Sequence, residues 1–285
     1  MYISIFISFK ENLFNDSAVT ISVPRKSQQQ VNSQTISTAM KCGWAWDIPL
    51  TNRTGNGYVY SSEYCSAEQA EFELREKLSL IGEDIEVRHL TMKVGRVEKH
   101  WHKNCVALGL SQGFVEPLEA TGLLVFDATA KMLAEQFPSS KLDMPLIAKQ
   151  FNERVTTSWD NVIDFVKAHY CLSKRDDSDF WLDNRASDSI PDSLKERLAR
   201  WKHQPPSAYD FASKFDIFNL ENYQYILYGM DFDTNLDNFQ HRLAKDERAS
   251  EEFAAIQNQA QFSLSKLPKH RDLIDKIYQY GLQKV

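Results

Sequence analysis

The densest run of chemically capable residues is His100–Leu123, HWHKNCVALGLSQGFVEPLEATGL. It holds an HxH, a cysteine and two glutamates, and it closes on Thr121-Gly122 ahead of an apolar stretch. A short strand at Cys105–Leu108, a glycine-bearing loop and then an apolar helix leave unpaired backbone N–H groups at the helix start. The helix dipole favours an anion there. Glycine at 122 removes the Cβ that would hold a flat ligand off the backbone. Glu119, just before the helix, serves either as a general base beside that anion or as a support for the helix N-terminus. A second candidate is Trp44-Ala45-Trp46-Asp47-Ile48-Pro49. Two tryptophans at i,i+2 on a strand project from one face, as a wall beside a flat aromatic ligand or as ordinary sheet packing.

Other residues offer less. His100 and His102 lack the carboxylate or cysteine cluster that would complete a zinc site, so no metal is expected. Glu116 and Glu119 suggest a carboxylate pair, but nothing else of a glycosidase accompanies them. Tyr223, Tyr225 and Tyr228 read as helix packing. Asn52-Arg53-Thr54 matches a glycosylation sequon without a secretory signal beside it.

These residues need elements to hold them. β-branched and aromatic residues predict strands at Tyr2–Phe9 and Ala18–Val23, and Gly43–Pro49 and Gly57–Cys65 flank a hairpin loop over Thr51–Asn56. Ala67–Ile81 switches to helical period, supported by i,i+4 pairs Glu71–Arg75 and Glu73–Lys77. Strand character returns at Ile85–Val97 and Asn104–Leu108. From Gly122 onward the pattern is helical. Leu124–Phe137 is apolar enough to be a buried helix, and a longer one from Pro145 aligns Ile147, Phe151, Val155, Val162, Val166 and His169 on one face. Ser189–Pro191 opens another, and Glu221–Gly229, Phe239–Phe262 and Arg271–Tyr280 follow. The fold class is therefore α+β, with a β-rich part over residues 1–121 and a helical part over 122–285.

The chain has 285 residues, 42% hydrophobic and 25% charged, with a net charge of −6. That composition is ordinary for a globular protein, and the charge argues against nucleic acid or an anionic membrane as partner. Cys42, Cys65, Cys105 and Cys171 show no CxxC spacing and read as reduced, mostly buried thiols. No apolar stretch is long enough to span a bilayer, and the expected compartment is the cytoplasm.

Trp44-x-Trp46-x-Ile48-Pro49 resembles the WxWxIP signature of flavin-dependent halogenases of the tryptophan-halogenase family. Phe114-x-x-Pro117 followed by Leu118-Glu119-Ala120-Thr121-Gly122 resembles that family's second signature. Arg53–Tyr58, Trp101–Ala107, Phe180–Asp183 and Tyr228–Met230 are similar to segments beside them, in order from about Phe9 to Met230. The resemblance implies the C-terminal portion of a flavin-dependent monooxygenase-like fold, a mixed β-sheet followed by a mainly helical substrate-side region. It further implies that reduced FAD, supplied by a separate flavin reductase, gives a flavin hydroperoxide. Chloride or bromide attacks it, and hypohalous acid travels to a lysine beside an electron-rich arene, usually an indole. On this match Glu119 is the catalytic glutamate, and Thr121 and Gly122 contact the halide. Gly122 and Leu123 border the cofactor. Trp44, Trp46, Ile48, Pro49, Phe114 and Pro117 belong to the motifs along the tunnel, and Ile217, Phe218 and Asn222 contact substrate. A homodimer is left open.

Three departures accompany the resemblance. No GxGxxG turn occurs and no lysine stands in the family's catalytic context, so a truncated enzyme, doubtful in activity by itself, is expected. A non-catalytic remnant or binding module is the alternative. Ala120 stands where serine is common. Members selective for free tryptophan carry a Phe-Trp pair with a glutamate upstream; here Ile217 and Phe218 follow Ser213. A site without that carboxylate cannot pair an ammonium group, which points to a neutral indole or a related aromatic.

Overall fold

The computed structural model describes residues 5–26, 29–211, 217–237 and 246–282. Three antiparallel sheets come first. The largest has the order β3 (Ile36–Met40), β4 (Gly43–Pro49), β5 (Arg53–Tyr60), β2 (Ser17–Pro24), β6 (Val87–Thr91). A smaller one places β7 (Gly95–Val97) between β1 (Phe6–Ser8) and β10 (Gly113–Phe114), and β8 (Trp101–His102) pairs with β9 (Cys105–Val106). The α+β class holds, and every pairing among the described residues is antiparallel.

Several boundaries differ from the sequence pattern, each for a local reason. β5 begins at Arg53, so the hairpin turn is tighter than a loop over 51–56, and Trp46 lies opposite Gly57 in the ladder. A Cβ on Gly57 would meet the Trp46 ring at 2.1 Å; the glycine is there because the indole lies across it. The described part of the first strand is only Phe6–Ser8, paired with β7. Helix α1 (Ala67–Leu78) stops at Ser79 in the left-handed region, φ 57°. Its Glu71–Arg75 pair forms at 2.7 Å, but Lys77 reaches across to Asp47 of β4 at 2.6 Å instead of Glu73.

The helical part follows as α2 (Thr121–Glu135), α3 (Met144–Cys171), α4 (Asp179–Asp183), α5 (Asp192–Trp201), α6 (Leu220–Gly229), α7 (Asp246–Lys266) and α8 (His270–Tyr280). Helix α2 is not the buried helix its apolar composition suggests. Thr121, Val125, Thr129 and Met132 face inward, while Leu123 and Leu124 are 79% and 55% exposed. The helix proposed over 239–262 is described from Asp246, and its first residues lie outside the described ones, as does Ser213. Of the three tyrosines read as packing, Tyr223 is buried and Tyr225 and Tyr228 are exposed. Of the cysteines, Cys42 and Cys65 are buried and Cys105 is exposed.

Helix α3 is the spine. Val155, Trp159, Val162 and Val166 are fully buried along it, and each such valine contributes about 1.5–3 kcal/mol over an exposed one. Near its start Asn152 clamps Trp101 of β8: the Trp101 N–H donates to Asn152 Oδ1 at 2.7 Å, and Asn152 Nδ2 donates back to the Trp101 carbonyl at 2.8 Å. The buried Lys167 donates to Asn184 Oδ1 at 2.8 Å and lies 4.6 Å from the centre of the Phe14 ring. Burial pushes this lysine down to about 8. Among the described residues, no helix is long and apolar enough to cross a membrane.

Candidate active site

The segment from β10 to α2 folds as a strained corner. A 3-10 turn over Leu118–Ala120 carries two consecutive non-glycine residues in the left-handed region, Glu119 at φ 66° and Ala120 at φ 51°. Such backbone costs on the order of 1 kcal/mol per residue and persists where neighbours over-determine it. Directly after it α2 begins with no side-chain cap. The hydroxyl of Thr121, whose residue is 3% exposed, is buried there without a hydrogen-bond partner. A Cβ on Gly122 would meet nothing nearer than 4.0 Å, so the helix start has open space beside it.

The corner's two glutamates diverge. Glu116 is buried, and one oxygen, Oε2, accepts from Asn15 Nδ2 at 2.7 Å, Trp44 Nε1 at 2.8 Å and the Tyr170 hydroxyl at 2.7 Å. Burial raises its pKa, and the three donors work against that rise. Its other oxygen and Oδ1 of Asn15 are buried without partners. Glu119 keeps its side chain 37% exposed and receives His169 Nε2 at Oε1, 3.1 Å away. That contact outweighs partial burial and holds the Glu119 carboxyl below its ordinary range.

A cavity of about 170 Å³ lies against this corner, lined by Ser37, Thr38, Ala39, Trp44, Leu118, His169, Tyr170, Ser173, Trp181 and Met230. It is smaller than the roughly 300–1,000 Å³ of pockets for drug-sized ligands and suits a small flat molecule. Its wall is fastened from α4 and the loop before it: Trp181 Nε1, Ser178 Oγ and Arg175 Nη1 donate to the carbonyls of Met40, Lys41 and Ala39. Trp44 and Trp46 lean together with ring centroids 5.8 Å apart. Trp44 lines this cavity, and Trp46 lines another of about 490 Å³ on the open face of the large sheet, with Ile48, Arg53, Asn56 and Arg88. The two indoles thus stand between two concavities.

The structure joins some of the singled-out residues and separates others. Trp44, the Glu119 corner and His169 meet at one cavity, and Phe218 is linked to it through a 3.8 Å stack on Phe165, whose ring lies 5.0 Å from that of His169. Ile217 is half-buried beside Phe218. Asn222 instead closes a capping box with Asn219 at the start of α6. Ile48 belongs to the sheet-face concavity, and Phe114 to a third one with Phe6 and Leu110. Pro49 is half-buried, and Pro117 and Leu123 are exposed. Asn15, Tyr170 and the anchoring role of Glu116 escaped sequence reasoning. Tyr170 could have been found, since it follows His169 on the apolar stripe of α3; Asn15 lies 101 residues from its partner Glu116 and carries no local signal. No group of three or more His, Cys, Asp or Glu able to hold a metal occurs among the described residues.

Comparison with known proteins gives a consistent picture. The sequence model of the tryptophan halogenase family matches residues 4–245. The tryptophan 6-halogenase SttH of Streptomyces toxytricini is 37% identical over 264 residues, covering 92% of this chain and 50% of SttH. The crystal structure of a tryptophan halogenase from Shewanella frigidimarina superposes with a TM-score of 0.94 at 40% identity, covering 99% of this chain and 54% of that one. BrvH, a flavin-dependent halogenase from Brevundimonas, superposes with a TM-score of 0.83 at 28% identity over 96% of this chain and 55% of its own. The chain spans about half the length of the curated relatives it matches.

Proposed function

Because the chain belongs to the tryptophan halogenase family, we propose that it forms the substrate side of a flavin-dependent halogenase acting on a neutral indole or related electron-rich arene. The observation that carries this reading is the meeting of three things at one cavity. They are an aromatic wall (Trp44, Trp181), an ionised carboxylate (Glu119) held by the lining residue His169, and Leu118 of the turn that leads into an uncapped helix start, where the Thr121 hydroxyl is buried and unpartnered. A helix start without a side-chain cap is a fit for a halide anion, held by the main chain at Thr121 and Gly122.

The fit to FAD is partial. Among the described residues all strand pairings are antiparallel, and no GxGxxG occurs in the sequence, so this chain offers no cradle for the dinucleotide's phosphates. The start of α2, with Gly122 and Leu123 at its edge, fits the halide end of such a site. Held by the rest of an enzyme and reduced by a flavin reductase, FAD would activate oxygen, the oxidant that would make halide electrophilic. This chain's residues do the remainder: the helix start holds the anion, the two indoles line the route between the concavities, and Glu119 meets the arene as an anion. There it stabilises positive charge on the ring and accepts the departing proton. The apolar Ile217-Phe218 pair favours a substrate without an ammonium group.

The test joins this chain to the flavin-binding portion of a related halogenase and assays indole with bromide, oxygen, FAD and a reductase. Brominated product that falls by about 10²–10⁴-fold in Glu119→Gln is expected. No product from this fusion, under conditions where the relative's own C-terminal half restores turnover, rejects the enzyme reading in favour of a binding module.

A further inference from the structure

The contacts of His169 fix more than its position. Its Nδ1 lies 2.9 Å from the carbonyl oxygen of Phe165, one turn back on α3. A carbonyl oxygen only accepts, so a contact this short requires hydrogen on Nδ1. Nε2 lies 3.1 Å from Oε1 of Glu119. That contact also needs a proton, held either by Nε2 facing a carboxylate or by the carboxyl facing a bare Nε2. With Nδ1 already occupied, either arrangement holds one proton more than a neutral imidazole beside a carboxylate. We propose that Glu119 and His169 act as a single proton-sharing, net-neutral unit in which His169 is the positioning residue and Oε2 of Glu119 the working oxygen.

This rests on the reading above for its assignment of Glu119 to the arene; the proton count does not. Oε1 is committed to His169, and Oε2 has no hydrogen-bond partner among the described residues. On substitution the ring C–H bond breaks, its electrons return to the ring, and the proton lands on Oε2. With Nδ1 committed to the Phe165 carbonyl and Nε2 to Oε1, His169 takes none of it. The unit passes from neutral to a charge of +1 and resets by releasing the proton to solvent along the exposed side of Glu119. A carboxylate so paired stays ionised to lower pH than a free one and lets go of a captured proton more readily.

The charged surroundings are few. Glu116, buried on the same loop, is the second acid that His169 acts upon. Lys167 of α3 lies beyond it and is itself acted on by Glu116. Lys174 and Asp231, each next in sequence to a lining residue (Ser173 and Met230), pair with each other at 3.0 Å. The segment after residue 217 contributes Phe218 and Met230. His169 is the one charged partner of Glu119 among the described residues.

The test is a histidine-detected ¹⁵N NMR titration of this chain, with the His169 signal assigned by its loss in His169→Gln. Expected is an Nδ1 that carries hydrogen in the folded chain and an Nε2 signal that changes in Glu119→Gln, where the shared proton is lost. An Nδ1 that is bare at neutral pH, or an Nε2 signal that Glu119→Gln leaves unmoved, overturns the proposal. The wild-type reading of Nδ1 needs no variant, so a variant that fails to fold does not protect the idea. Neither measurement needs flavin or halide. In the active fusion, His169→Gln should move the acid limb of the pH–kcat profile upward, since Glu119 then protonates at higher pH. A fusion without turnover but with the NMR signature intact would instead reject the halogenase reading and keep the pair.

Discussion

Three positions separate Glu116 from Glu119, and their carboxyls end in opposite surroundings. One is enclosed and gathers three donors on a single oxygen; the other stays partly open and leans on one imidazole. The first organises the site: through it, β4 (Trp44), the segment before β2 (Asn15) and α3 (Tyr170) are fixed to one atom. Trp44→Phe keeps the aromatic wall but withdraws a donor from that buried acceptor. A loss of about 1–3 kcal/mol is expected in urea unfolding, larger than a phenylalanine substitution for an unbonded buried indole of similar packing would give. A second buried acid is open to test by pH. Burial raises Asp164 to about 6 from an ordinary 3.8, with the Ser193 hydroxyl bonded to it at 2.8 Å. The folded state therefore keeps a proton that the unfolded chain has lost between about pH 4 and 6. This contribution is full below that window and lost as pH rises through it, by on the order of 3 kcal/mol at most. Thermal melts across that window should show the fall, and Asp164→Asn should flatten it.

At the scale of elements, the β4–β5 pairing decides where the indoles point. Trp46 crosses the strand over Gly57, and a methyl group placed there would drive into the ring. Gly57→Ala should cost about 1–3 kcal/mol and shift tryptophan fluorescence, and the cost should shrink when Trp46→Ala is added. The glycine illustrates what the sequence revealed and what it withheld. Strand–helix alternation, the spine helix from Pro145 and the α1 stripe were all legible, because hydrophobic period is a local property. The residues Arg53–Asn56 read as loop because glycine and asparagine mark turns; their membership of β5 depends on a bulky residue on the neighbouring strand. Likewise Trp44 and Glu119 were visible as motif residues, but the network through Asn15 and Tyr170 spans up to 155 residues of chain and leaves no periodic trace. The apolar helix over Leu124–Phe137 read as buried, since composition alone cannot say which side of a helix lacks a partner.

For the molecule as a whole, that exposed face has consequences. Leu123, Leu124 and Leu110 are 79%, 55% and 72% exposed, and Ile5 beside β1 is 65% exposed. Apolar surface so displayed drives association at working concentrations. The chain by itself should bind a hydrophobic dye and elute as oligomers in size exclusion; Leu123→Gln with Leu124→Gln should reduce both without lowering the melting temperature. A dye-silent monomer would contradict this.

The clamp two turns into α3 acts on the cavity from a distance. Asn152 grips Trp101, and His169 sits seventeen residues further along the same rod, about 26 Å away at helical rise. With its pivot two turns in and its working tip near the far end, the rod converts each degree of tilt into roughly half an ångström at the imidazole. Displacements of that order matter where groups must meet to within about 1 Å. Variation around β8 is therefore a steering input to the His169 end of the cavity, delivered by a residue that never approaches the ring it aims.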